Sequence, residues 1–247
     1  METAMKKKSK IAELRAMILE AEGFTVNSGT DWPLKDMGVM EQAFPAGIFP
    51  LGAIHEFISN DTEQASASAG FIACLIGRLM QQKGPCLWVS LGKRLFPPSL
   101  SAFGVAPDRV FFVNLSQEKD ALWVIEEALK CPSIAAVVGE IHDLDLTASR
   151  RLQLAVEQSH VTGFLHRYRP RRMNNMGCVA RWNVKPMSSI VSGRLPGIGH
   201  PLWHVELQKI RNGKPGSWQM GWKEDTFFYE EQPLGVTDNV YGRTGTS

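Results

Sequence analysis

The sequence predicts an α/β fold built on a mostly parallel sheet with helices on both faces, and three observations carry that prediction. Runs of strand length alternate with runs of helix length from Gly52 to Leu165, the order that sets parallel strands side by side with helices across them. Ala65 to Met80 is apolar or small on nearly every side, so that helix should lie between the sheet and further structure. After Leu165 only strand-like runs remain, at Val179–Val184, Trp203–Ile210 and Ser217–Trp222. They predict antiparallel strands added at the C-terminal side, the last two joined as a hairpin through Arg211–Gly216.

In chain order, Lys10–Glu22 reads as an amphipathic docking helix with Ile11, Leu14, Ile18 and Ala21 on one face, ending at Gly23. Its dock is the same chain or a partner. Val26–Gly47 passes through Asn27-Ser28-Gly29, Trp32-Pro33 and Phe44-Pro45-Ala46-Gly47 without periodicity, as a flexible connector does. Gly52–Ile58 is a buried strand, Lys83-Gly84-Pro85 turns the chain into a second strand at Cys86–Leu91, and Phe96-Pro97-Pro98 opens a short helix that reaches Phe103-Gly104. Arg109–Leu115 is a strand and Lys119–Lys130 a helix ended by Cys131-Pro132. Ile134–Ile141 is a strand, Thr147–Ser159 a helix with Leu152, Ala155 and Val156 inward, and Val161–Leu165 a strand. From Gln232 the chain has no core face and should be disordered. The expected organisation is residues 1–47 as helix and connector, 48–230 as the core domain and 231–247 as a tail.

The organising stretch is the turn between the first strand and the apolar helix. A phosphate-binding turn in this place reads G-x-x-x-x-G-K-[ST], with backbone N–H groups around the phosphates and a lysine neutralising them. Here Ser59, Asn60, Asp61, Thr62, Glu63 and Gln64 lead into Ala65-Ser66, with no glycine and no lysine. Asn60 or Asp61 can cap the helix, and Glu63 or Gln64 can close a capping box three residues later. Asp61 and Glu63 would also repel a triphosphate at the helix end.

A formal net charge of +2 over 247 residues provides no global basic field, so nucleic-acid contact requires a local patch. Cys74, Cys86, Cys131 and Cys178 form no C-x-x-C pair, which argues against zinc and against a disulfide framework and fits core thiols of the cytoplasm. Lys6-Lys7-Lys8 is followed by Glu13, Arg15, Glu20 and Glu22 where a secretory leader needs an apolar run. No stretch is apolar enough to span a bilayer, so a cytoplasmic location without membrane contact is expected.

Active-site patterns fail on spacing. His55-Glu56 meets Ser59 where H-E-x-x-H needs its second histidine, and the pair sits on a strand. No G-x-S-x-G elbow occurs, and Gly92-Lys93-Arg94 and Gly213-Lys214 lack the earlier glycine of a phosphate loop. Glu140 stands where an ATPase would hold magnesium, but a lone carboxylate is no metal site. Gly92 and Lys93 stand where an acid would activate water. No catalytic residue, metal or cofactor is therefore expected. The most functional-looking cluster is Arg167-Tyr168-Arg169-Pro170-Arg171-Arg172-Met173-Asn174-Asn175, read as a loop at the end of a strand, where α/β sheets place ligand contacts. Its guanidinium groups suit phosphate and its tyrosine can stack on a base. Single-stranded DNA contact, protein contact and a merely solvated loop all fit it.

Several segments together resemble the ImuA family. They are Phe49-Pro50-Leu51-Gly52-Ala53-Ile54-His55-Glu56, Leu122-Trp123 with Glu126-Glu127-Ala128-Leu129, Val137-Val138-Gly139-Glu140, Ala148-Ser149-Arg150-Arg151-Leu152-Gln153-Leu154-Ala155, Ala180-Arg181-Trp182, and Pro215-Gly216-Ser217-Trp218. The resemblance covers Phe44 to Trp222. It implies a degenerate RecA-like core, damage-inducible expression in the SOS response, and non-catalytic work in error-prone translesion synthesis. The implied partners are an ImuB-like protein and, through it, an error-prone polymerase, with RecA or single-stranded DNA as further contacts. Two other classes carry the same fold pattern: a nucleotide-dependent recombination ATPase and a cell-division inhibitor of the SulA type.

Overall fold

The computed structural model describes Leu34 and residues 37–82, 84–92, 95–172, 177–190 and 199–230. The expected docking helix at Lys10–Glu22 and the expected tail at 231–247 lie outside those residues. Nine strands form one sheet: β1 (Ile54–Ser59), β2 (Cys86–Leu91), β3 (Val110–Leu115), β4 (Ala136–Ile141), β5 (Thr162–Tyr168), β6 (Ala180–Ile190), β7 (His200–Ile210), β8 (Gly216–Lys223) and β9 (Thr226–Tyr229). Their spatial order is β3-β2-β4-β5-β1-β6-β7-β8-β9. Helix α1 (Thr62–Gln82) follows β1, α2 (Glu118–Leu129) follows β3, and α3 (Leu146–Ser159) follows β4.

The parallel half is as predicted, with β1 pairing β5, β4 joining β5 to β2, and β2 pairing β3, all parallel. Alternation along the strands divides the core in two. Phe57, Trp88 and Phe164 turn toward α1, while Ile54, Val137 and Leu165 turn toward α2 and α3, so both faces are covered. Phe57 stacks on Trp182 at 5.9 Å between ring centres, and burying rings of this size stabilises the fold by about 1.5–3 kcal/mol each.

Three expectations are corrected. The Val179–Val184 strand is not antiparallel to its inner neighbour: β6 runs parallel to β1, with Glu56 opposite Arg181, and antiparallel pairing begins between β6 and β7. The connector is, over its described part, packed structure. Gly38–Ala43 and Pro45–Gly47 form 3₁₀ turns, and Leu34, Met37, Met40, Ala43 and Phe44 are buried, so the core begins well before residue 48. Gly38 has φ +64, and a Cβ there would lie 2.5 Å from the Tyr229 ring, whose hydroxyl donates to the Met37 carbonyl. Tyr229 belongs to β9, a strand the sequence reading lacks.

Cys74, Cys86 and Cys178 are core thiols as expected, whereas Cys131 is exposed. Burial pushes the Cys178 thiol up to about 11, with the nearby Glu56 carboxylate adding to the effect. Among the described residues no helix is long and apolar enough to cross a membrane.

Candidate functional site

The C-terminal ends of β1, β2, β4 and β5 meet the N-terminus of α1, the place where an open parallel sheet holds its ligands. At the head of α1 the capping box is realised. Asp61 Oδ1 accepts the Gln64 backbone N–H at 2.7 Å, and Asp61 Oδ2 accepts from Gln64 Nε2 at 2.7 Å. Gln64 Oε1 in turn accepts from the Asn60 N–H at 3.2 Å and from Asn183 Nδ2 at 3.3 Å. Ser59 is fully buried, its hydroxyl bonded to Ser68 Oγ at 3.0 Å and His166 Nε2 at 2.9 Å. Side chains therefore occupy donors of the helix end that a phosphate would claim.

His55 and Glu56 point to opposite faces, as neighbours on a strand must. The His55 ring stacks on Phe49 at 4.4 Å. With Trp182 Nε1–H donating to His55 Nδ1 at 3.3 Å, the Nε2–H donates to the Pro50 carbonyl at 2.7 Å. Burial drives its pKa down to about 4, so the ring is a neutral core residue. Among the described residues no cluster of three or more His, Cys, Asp or Glu side chains could hold a metal ion. Glu140 Oε1 accepts from Trp88 Nε1 at 2.8 Å.

The basic segment divides into a buried and an exposed part, which corrects the reading of Arg167 as a loop residue. β5 continues three residues beyond Leu165, and Arg167 is 0% exposed within it. Arg167 Nη1 bonds Glu56 Oε1 at 2.6 Å, Nε donates to the His142 carbonyl at 3.2 Å, and Nη2 donates to the Arg172 carbonyl at 2.8 Å. The other oxygen of the fully buried Glu56 accepts from Arg181 Nε at 2.6 Å. Arg167 is thus committed to an internal ion cluster and is not offered to DNA. Tyr168 is half-buried, while Arg169, Arg171 and Arg172 are exposed. Their backbone is tied down. The Arg169 N–H donates to the Ser59 carbonyl at 2.8 Å, Arg169 Nε to the Asn60 carbonyl at 3.0 Å, and the Arg171 N–H to Asp143 Oδ1 at 2.9 Å. The Arg169 guanidinium sits 5.2 Å over the Tyr168 ring. Met173, Asn174 and Asn175 lie outside the described residues.

Sequence reasoning missed Glu56 as the partner that Arg167 shares with Arg181. The available signal was opposite charges in buried strands, Glu56 in β1 against Arg181 in β6 and Arg167 in β5. It also missed a cavity of about 510 Å³ beside α1. Ala65 and Ala69 of α1, Leu100 and Phe103 of the 3₁₀ segment Pro97–Phe103, and Glu140 and Tyr168 at the strand ends are among its walls.

No family model matches the chain. Protein ImuA of Caulobacter vibrioides, in each of two strains, is 36% identical over 191 residues, spanning 72% of this chain and 78% of the relative. Among solved structures, a KaiC-like protein of the hyperthermophilic archaeon Pyrococcus horikoshii superimposes with a TM-score of 0.53 at 14% identity, over 78% of this chain and 95% of that one. The RadB recombinase gives 0.51 at 14% identity, over 75% and 94%. The fold is RecA-like, as expected.

Proposed function

The chain belongs to the ImuA family, and from that premise we propose that it is a non-catalytic, RecA-like adaptor of cytoplasmic DNA repair. In this reading it serves SOS-induced translesion synthesis by joining an ImuB-like protein, and through it an error-prone polymerase, to RecA or single-stranded DNA. The observation that supports it is the closed cap at the head of α1. Asp61 and Gln64 take up the helix end and place a carboxylate where a triphosphate would need a cation. A fold kept whole around such an end fits a binding role better than a nucleotide-driven motor. Single-stranded DNA contact belongs to Arg169, Arg171 and Arg172, whose guanidinium groups stand on a backbone held by Ser59 and Asp143.

Co-purification with the ImuB-like protein of the same organism tests the reading, using the full chain beside a truncation after Glu230 that keeps β9. A stable complex is expected, and its loss on truncation would place the contact in residues 231–247. No complex at micromolar concentrations would overturn the adaptor role.

A further inference from the structure

The cavity beside α1 has a volume within the range of small-ligand sites, about 300–1,000 Å³. Its described walls are mostly apolar and include no lysine or arginine, with His142 and His166 beside Glu140 among their titratable groups, so they hold no permanent cation to neutralise a phosphate buried there. The cations stand immediately outside. Tyr168 is both a wall of the cavity and the ring on which the Arg169 guanidinium rests, and Arg171 and Arg172 follow on the same anchored backbone. At the rim Phe96 is 68% exposed, a flat apolar surface against which a ring can stack. Inside, the Glu140 carboxylate is oriented by the Trp88 indole and can accept from the amino group of cytosine or adenine. A charged strand outside and an uncharged, flat, hydrogen-bonding group inside is the division of chemistry within a nucleotide.

We propose that the cavity takes one unstacked base of single-stranded DNA whose phosphates lie along Arg169, Arg171 and Arg172. The inference rests on the DNA-contact reading above and adds to it a base-binding pocket. Phosphate contact supplies the salt-dependent part of the affinity, and the base supplies a part that salt leaves alone.

The test uses fluorescence anisotropy with the full chain and two labelled strands of about 15 units, one of deoxycytidine and one of abasic sugar-phosphate with the same charge. The base-bearing strand is expected to bind about 10-fold tighter, with equal salt slopes for the two strands. Ala69→Trp, which fills the cavity from the α1 wall, should bring the deoxycytidine strand down to the abasic affinity. Phe96→Ala, at an exposed site that costs the fold little, should lower it several-fold without changing the abasic strand. Equal affinity for the two strands would overturn the pocket while leaving phosphate contact standing. Failure of both strands to bind at low salt would overturn the DNA reading and the pocket with it. A cavity variant that binds both strands like wild type but loses the ImuB-like protein would assign the cavity to a protein side chain and overturn the base.

Discussion

Replacing Arg167 by alanine removes one of two guanidinium groups from the fully buried Glu56 carboxylate and unties the loop that carries Arg169, Arg171 and Arg172. Breaking a buried ion pair by deleting one partner costs about 3–5 kcal/mol. The bonds from Arg167 to the carbonyls of His142 and Arg172 belong to the same network and do not add independently. Arg181 stays on Glu56 at 2.6 Å and shields part of the loss, which places the expected cost near 4 kcal/mol. With a urea slope of about 2–3 kcal/mol per molar, the unfolding midpoint should fall by roughly 1.3–2 M. Alanine at the exposed Arg171 or Arg172 should stay within about 0.5 kcal/mol of wild type. The assay is a set of urea titrations followed by tryptophan fluorescence, since Trp88 and Trp182 are buried. An Arg167→Ala protein within 1 kcal/mol of wild type would refute the assignment of this arginine to the core.

Three other outcomes follow from the same geometry. His55 has a folded pKa lowered to about 4 from 6.5, so the unfolded chain binds the extra proton first. Its contribution, about 3 kcal/mol at 1.36 kcal/mol per pH unit, is complete above about pH 6.5 and is lost as pH falls toward 4; urea midpoints across that window should slope less in His55→Gln than in wild type. Asp61→Ala strips the cap from α1 and should cost about 1 kcal/mol, read as a lower midpoint with unchanged slope. Changing Arg169, Arg171 and Arg172 together to alanine should weaken single-stranded DNA binding and flatten its dependence on salt by up to about two units of slope, at about 0.7 per phosphate contact; an unchanged slope would remove the loop from the interface.

The cap at α1 was legible because Asp61 and Gln64 are three residues apart and the motif is local. The parallel half was legible because each strand and helix carries its own period. Arg167 was not, since four arginines after an apolar run read as solvated unless an opposite charge is known to face them. That charge, Glu56, lies 111 residues away in the chain. The packing of residues 37–47 escaped because 3₁₀ turns lack the 3.6-residue period that a helix displays. β9 escaped because its turn uses Glu224 and Asp225 at φ +50 and +59 in place of the Asn-Gly pair that usually announces such a hairpin. The cavity draws its walls from α1, a 3₁₀ segment and the ends of β2, β4 and β5, and no single stretch signals it.

Whether the head of α1 has given up phosphate is asked most directly by calorimetric titration of the full chain with a non-hydrolysable ATP analogue and magnesium. No saturable heat is predicted up to about 1 mM ligand, the weak end of measurable affinity. Saturable binding at micromolar concentration, abolished by Glu140→Ala, would contradict the closed cap and return the protein to the nucleotide-dependent class.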